Sequence, residues 1–326
     1  MVGVLVLGAP SSACAFSMQG ELATWMTHRI GYDVNAAPYG GPMNIGEEYR
    51  YNVPTIYYSF SPDFMNYFGD VGAAEIDKAF KLLNELPPAS NINPDDYPLR
   101  SQRVNHRASA LGLIDLKSMS LSILLNQVGL CNPARYVYTI RNRWTTPATT
   151  NFYVIRRNFD PITWQASSYI NGQLWTYSSV QDEVPLDFSF VNTTPVDPLA
   201  LSGYLNAPVS SGPVGGGFQE LLIPGGFWTT LTRDDVGGIK YIYRQQNYNV
   251  ENFATNAVGS TYEGPWGPPP GQTNQVGTNT VVVTNILINT AVRPGREKVN
   301  YQRVNYDSIF GFWQPFTNRW EDVVIT

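Results

Sequence analysis

The chain has 326 residues, beyond the ~250–300 at which one hydrophobic core stops growing, and is 43% hydrophobic but only 14% charged. A formal charge of −5 and a pI near 5.1 leave no basic surface to displace counterions from nucleic acid. No apolar run approaches the ~20 residues of a membrane-spanning helix. The charge deficit is filled by Gly (28), Pro (24), Tyr (20) and neutral polar residues, a composition of turns and strands.

Met1 to Ala9 is a short apolar run, followed by Pro10-Ser11-Ser12 and Ala13-Cys14-Ala15. Small residues at the −3 and −1 positions after such a run predict an export signal over 1–15, cut after Ala15 to leave Phe16 first. A lipoprotein reading of Cys14 is weaker, because Ser11 stands where a leucine is wanted. Once the signal is gone, Cys131 has no disulfide partner and reads as a small buried hydrophobe.

Residues 16–50 are turn-rich. Val53 to Phe60 is β-branched and aromatic and predicts a strand. Ala73 to Leu86 carries Ile76, Ala79, Phe80 and Leu83 on one face and stops at Pro87-Pro88, which predicts an amphipathic helix. Val104 to Val128 also reads as helix, apolar nearly all round from Leu111 onward, so Leu111, Ile114, Leu121, Leu124 and Val128 are expected in the main core. Between 134 and 191 the period changes to β. Asn171-Gly172 there is a strong hairpin signal.

Thr232 is expected to N-cap a short helix, with Asp234 and Asp235 in its first turn and Val236, Ile239 and Tyr243 facing inward. Residues 259–280 are rich in Gly and Pro and read as a linker between a main domain over 16–258 and a β-rich segment over 281–326. Strands 281–289 and 299–306 are too few to stand alone. They are expected to find their partners in chain beyond Thr326.

The chemistry-bearing residues are sparse. Two histidines, His28 and His106, exclude a three-His zinc site, and no His-Glu-x-x-His spacing occurs. No Gly-x-Ser-x-Gly elbow serves His106 as a base, and the Gly215–Gly217 run lacks the Lys-Ser/Thr end of a phosphate loop. The acidic pairs Glu47-Glu48, Asp95-Asp96, Asp182-Glu183 and Asp234-Asp235 are sequence neighbours, whereas glycosidic chemistry needs two carboxylates across a cleft. Trp144, Trp164, Trp175 and Trp228 are candidate sugar-binding residues, since an indole offers an apolar face and a polar edge. Their alternative use is packing the sheet.

Three segments together resemble the catalytic domain of matrixin-type metzincins. Tyr57-Tyr58-Ser59-Phe60 with the helix over 73–86 is similar to that family's opening strand and helix. Leu231 to Tyr243, with its Thr-x-Asp-Asp start and Gly238-Ile239, is similar to its closing helix. Asn105 to Asp115 can be laid on its zinc helix, which puts Asn105, Ser109 and Asp115 at the ligand positions and His106 at the general-base position. The resemblance thus implies a zincin-like scaffold without metal or cofactor, and Asn and Ser at ligand positions exclude an active zinc protease.

The sequence therefore predicts an α+β fold with a mixed sheet on two or three helices. It predicts an exported, secreted or envelope protein without catalytic function, in contact with glycan or extracellular protein. The alternative is an exported hydrolase built on carboxylates or His106, with Asp115 as a further weak candidate.

Overall fold

In a computed structural model of the chain, the described residues are 14–32, 40–47, 49–183, 188–197, 207–212, 223–252, 258–259, 286–287 and 290–304. The architecture is α+β, with helices set among several small sheets. The chain divides into one unit of 1–244 with 296–315 and a second of 245–295 with 316–326.

In the first unit, strand β1 (Phe16–Gly20) pairs antiparallel with β2 (Gly41–Pro42) and with two short strands further along the chain. Strand β3 (Thr55–Tyr58) leads into helix α1 (Pro62–Asn84), which is longer than the expected 73–86. Ser61 caps it by accepting from the N–H of Phe64, with Pro62 at the first helical position and Asp63 in the first turn. Gly69, at φ 61°, kinks it.

The expected helix over 104–128 is instead three elements. Strand β4 (Gln102–Val104) precedes a single turn, α2 (His106–Ala110), and then α3 (Leu116–Gln127). Asn105 caps α2 and Asp115 caps α3, and between them Gly112 takes φ 67°, a left-handed conformation that ends a helix. The core assignment changes accordingly. Leu121 and Val128 are buried and Leu124 packs against the core, but Leu111 is 64% and Ile114 41% exposed. An apolar run does not bury itself when capping residues and a glycine cut it from the helix.

Strand β5 (Leu130–Cys131) and the turn α4 (Pro133–Tyr136) lead to a hairpin of β6 (Thr139–Thr145) and β7 (Thr150–Ile155), then β8 (Asn158–Phe159). Strands β5 and β8 are the other partners of β1. Strands β9 (Tyr169–Ile170), β10 (Gln173–Glu183) and β11 (Phe188–Pro195) form an antiparallel sheet. Asn171 and Gly172 join the first two with φ 42° and 81°, as a tight hairpin turn requires.

Strand β12 (Gly226–Trp228) pairs with β4 and precedes helix α5 (Arg233–Ile242). The capping box of Thr232 and Asp235 starts α5. A Cβ at Gly238 would lie 2.5 Å from Leu130 and 3.0 Å from Phe16, so glycine is what lets α5 approach β1 and β5. Phe16, Met18, Leu121, Leu125, Trp228, Val236 and Ile242 meet in the main core.

In the second unit β13 (Asn249–Asn252) pairs with β16 (Thr290–Arg293), and β14 (Val258–Gly259) with β15 (Ile286–Leu287). The expected linker falls outside the described residues except for Gly259. Strand β17 (Asn300–Arg303) corrects the expectation that the 299–306 strand needs partners beyond the chain. It pairs parallel with β3 inside the first unit, and its Tyr301 is buried against Phe80 of α1.

Candidate binding site

The residues laid on a zinc helix are not arranged as one. Asn105 spends its side-chain oxygen on the N–H groups of Arg107 and Ala108, and Asp115 spends a carboxylate oxygen on the N–H of Ser118. His106 opens α2 in an exposed position. Among the described residues no group of three His, Cys, Asp or Glu side chains is placed to hold a metal.

The acidic pair of α5 has a structural use beyond its dipole. Asp235 is fully buried and accepts from the backbone N–H groups of Val209, Ser210 and Thr232 and from the Thr232 hydroxyl, at 2.7–2.9 Å. Asp234 accepts from the N–H of Ala15 at 3.0 Å and of Asn171 at 2.7 Å. Burial, with the neighbouring Asp235 charge adding, holds the Asp234 carboxyl well above the ordinary carboxylate range. Two adjacent acids thus fasten the start of α5 to three distant segments.

The four candidate tryptophans do not form one platform. Trp228 is wholly buried and donates its indole N–H to the Ala207 carbonyl. Trp144 stands exposed on β6. Trp164, at φ 58°, is half exposed with its ring edge-on to Tyr241 and Arg244 over its face. Trp175 borders a cavity.

That cavity encloses about 140 Å³ between the Ile30–Tyr32 loop, α4, β6, β10 and β11. Six of its sixteen lining residues are aromatic, Tyr32, Tyr136, Tyr138, Trp175, Phe188 and Phe190. Neutral polar groups interrupt them at Asn132, Thr139, Asn192 and Thr193, and Arg135 is the one cationic residue of the lining. Tyr32 and Thr139 share a buried 2.6 Å hydroxyl–hydroxyl bond, and the Thr193 hydroxyl donates to the Ala134 carbonyl at 3.2 Å. Arg135 donates to the Gly31 carbonyl at 3.1 Å with its guanidinium 5.3 Å from the Tyr136 ring.

Burial pushes the Tyr32 phenol up to about 12 and that of Tyr136 higher still, so both stay neutral donors and acceptors at ordinary pH. The Tyr138 hydroxyl donates to Ser168 at 2.9 Å, which fixes its ring at the cavity wall. Trp175 is 6% exposed, and its Nε1 is buried without a hydrogen-bond partner.

Sequence reasoning singled out Trp175 but missed the rest of this lining. Its residues run from 30 to 193, and no local spacing links them. Chemically the cavity offers aromatic surface, neutral hydrogen-bonding groups and the Arg135 guanidinium, and among the described residues no carboxylate lines it.

Compared with known proteins, the chain matches no family model, no curated protein and no solved structure.

Proposed function

We propose that the protein is an exported, non-catalytic module that binds glycan of the extracellular space or cell envelope, seating one sugar ring in the aromatic cavity. The observation that carries this reading is the lining itself. Tyrosine, tryptophan and phenylalanine rings surround a space of about 140 Å³, with Asn and Thr side chains among them. An engineered cavity of about 150 Å³ admits benzene, with its six heavy atoms, so a space of this size takes one side of a sugar ring and leaves the remaining hydroxyls outside it. A sugar ring has C–H faces that suit aromatic walls and hydroxyls that suit neutral polar groups.

The apolar run followed by small residues at the N-terminus supports export. A metal-less protease-like scaffold is compatible with this use, and its support is the sequence likeness of 57–60 and of 231–243. The hydrolase alternative gains no support from His106, which is exposed, or from Asp115, which caps α3.

Co-sedimentation with insoluble polysaccharides such as chitin, cellulose and peptidoglycan tests the reading. Retention on at least one of them, reduced at least tenfold by Tyr138→Ala, is the expected result. Retention on none of them, with capture by a peptide column bearing aromatic side chains instead, overturns the glycan assignment.

A further inference from the structure

We propose that α2 and the Leu111–Ile114 turn after it dock the protein on a lipid bilayer that carries anionic headgroups. The overall charge of −5 conceals a local excess of the opposite sign. Between Leu99 and Lys117 four basic side chains, Arg100, Arg103, Arg107 and Lys117, stand against one acid, Asp115, a net +3. Arg100, Arg103 and Arg107 are exposed, and among the described residues none of them is ion-paired. Asp115 is engaged in capping α3. The acids just upstream are engaged as well, Asp95 with Arg233 and Asp96 with the side-chain amide of Asn93.

The same surface carries exposed apolar side chains. Leu113 is 54% and Ile223 39% exposed, beside the exposed Leu111 and Ile114. Hydrogen bonds hold them on a built turn. The N–H of Leu111 donates to the Arg107 carbonyl at 3.2 Å and that of Leu113 to the Ala108 carbonyl at 3.0 Å. The segment of Ile223 is tied on through Gly225, which donates to the Leu113 carbonyl at 2.7 Å and accepts from the Asn105 N–H at 2.8 Å. A side chain added at Gly112 would meet no atom within 4 Å, so the turn projects into open space.

A contiguous exposed apolar patch marks an interaction surface, and its chemistry selects the partner. A bilayer closes around a projecting aliphatic turn of any shape, whereas a protein partner needs a matching hollow. The exposed apolar members are leucine and isoleucine, without the Tyr, Trp, Phe and Met that protein interfaces favour. Nucleic acid would match the arginines but leave most of the aliphatic side chains in water. At an anionic bilayer Leu111, Leu113 and Ile114 enter the boundary between headgroups and acyl chains. The arginines then reach lipid phosphates, each guanidinium fork pairing two oxygens at once. Attraction of basic side chains to anionic lipid adds to the apolar burial. None of these residues lines the aromatic cavity, so this docking is separate from glycan binding.

The test is co-sedimentation of the whole chain with vesicles of phosphatidylcholine alone and of phosphatidylcholine mixed equally with phosphatidylglycerol. At about 0.1 M salt, partition to the phosphatidylglycerol vesicles should be at least tenfold tighter, and most of that preference should be lost at about 1 M salt, where charges are screened. Leu113→Ser combined with Ile114→Ser should weaken the partition at least tenfold. Arg103→Gln combined with Arg107→Gln should reduce it to the level of phosphatidylcholine alone. All four positions are exposed, so both variants should keep the far-ultraviolet circular dichroism of the parent. Equal partition to both vesicles, partition to neither, or partition that both variants leave unchanged overturns the inference. Partition to neither together with retention on immobilised polyglutamate assigns the patch to an acidic polypeptide instead.

Discussion

Asn171 and Asp234 hold each other reciprocally. The backbone N–H of Asn171 donates to Oδ2 of Asp234 at 2.7 Å, and the backbone N–H of Asp234 donates to Oδ1 of Asn171 at 3.2 Å. A hairpin turn 63 residues upstream therefore supplies both a donor and an acceptor to the first turn of α5, where N–H groups lack intrahelical partners. Asn171 suits the place twice, because it tolerates φ 42° and carries the acceptor. Asn171→Ala should lower stability by about 2–3 kcal/mol, through a buried unpaired donor and backbone strain. Asn171→Gly should lose less, since it keeps the turn and drops only the acceptor. Urea denaturation of both variants checks the order.

Asp234 also predicts a pH dependence of stability. Its folded carboxyl is held above its unfolded range, first by burial. A proton there favours the folded state, so its contribution is full below about pH 3.9, the ordinary carboxylate value. It is lost as pH rises through the higher folded value. The stability of the chain relative to Asp234→Asn should fall as pH rises above about 4. Denaturation midpoints across that range check it, and a pH-independent difference contradicts it.

How much of this was legible in the sequence depended on whether the signal was local. The Asn171-Gly172 turn and the Thr232 cap are short-range patterns, and both stand as read. The start of α1 at Ser61-Pro62-Asp63, a cap followed by proline and an acid, is a local signal of the same kind, which the expectation of a helix from Ala73 passed over. Leu111, Leu113 and Ile114 misled because hydrophobicity was followed through Gly112 and past Asp115, a residue well suited to start a new helix. The cavity was not legible at all. Tyr32, Tyr136, Trp175 and Phe190 meet through tertiary packing that no window of sequence contains.

The two halves of the misread segment should respond differently to truncation. Leu121→Ala, at a fully buried position on α3, should cost about 2–5 kcal/mol. Leu111→Ala and Ile114→Ala, at exposed positions, should each change stability by about 0.5 kcal/mol or less. Thermal and urea unfolding of the three variants measures the contrast.

Strand β17 should behave as part of the main fold. Asn84 on α1 donates its side-chain N–H to the Tyr301 carbonyl at 2.8 Å and accepts from the Tyr301 N–H at 2.7 Å, while the Tyr301 ring lies 5.2 Å from that of Phe80. Tyr301→Ala should therefore cost about 3–5 kcal/mol, as for other large aromatic truncations in a core. Amide hydrogen exchange should find 300–303 protected as well as its partner strand 55–58.

The claim that a ring-sized ligand enters the aromatic cavity is tested most directly by the indole N–H resonance of Trp175, assigned by its loss in Trp175→Phe. Titrating soluble oligosaccharides of chitin, cellulose and peptidoglycan should shift that resonance saturably with at least one of them. Ala134→Leu, which puts extra bulk into the lining, should weaken the binding at least tenfold while the rest of the spectrum stays folded. A Trp175 resonance unmoved by every sugar, or equal binding by Ala134→Leu, would contradict the account.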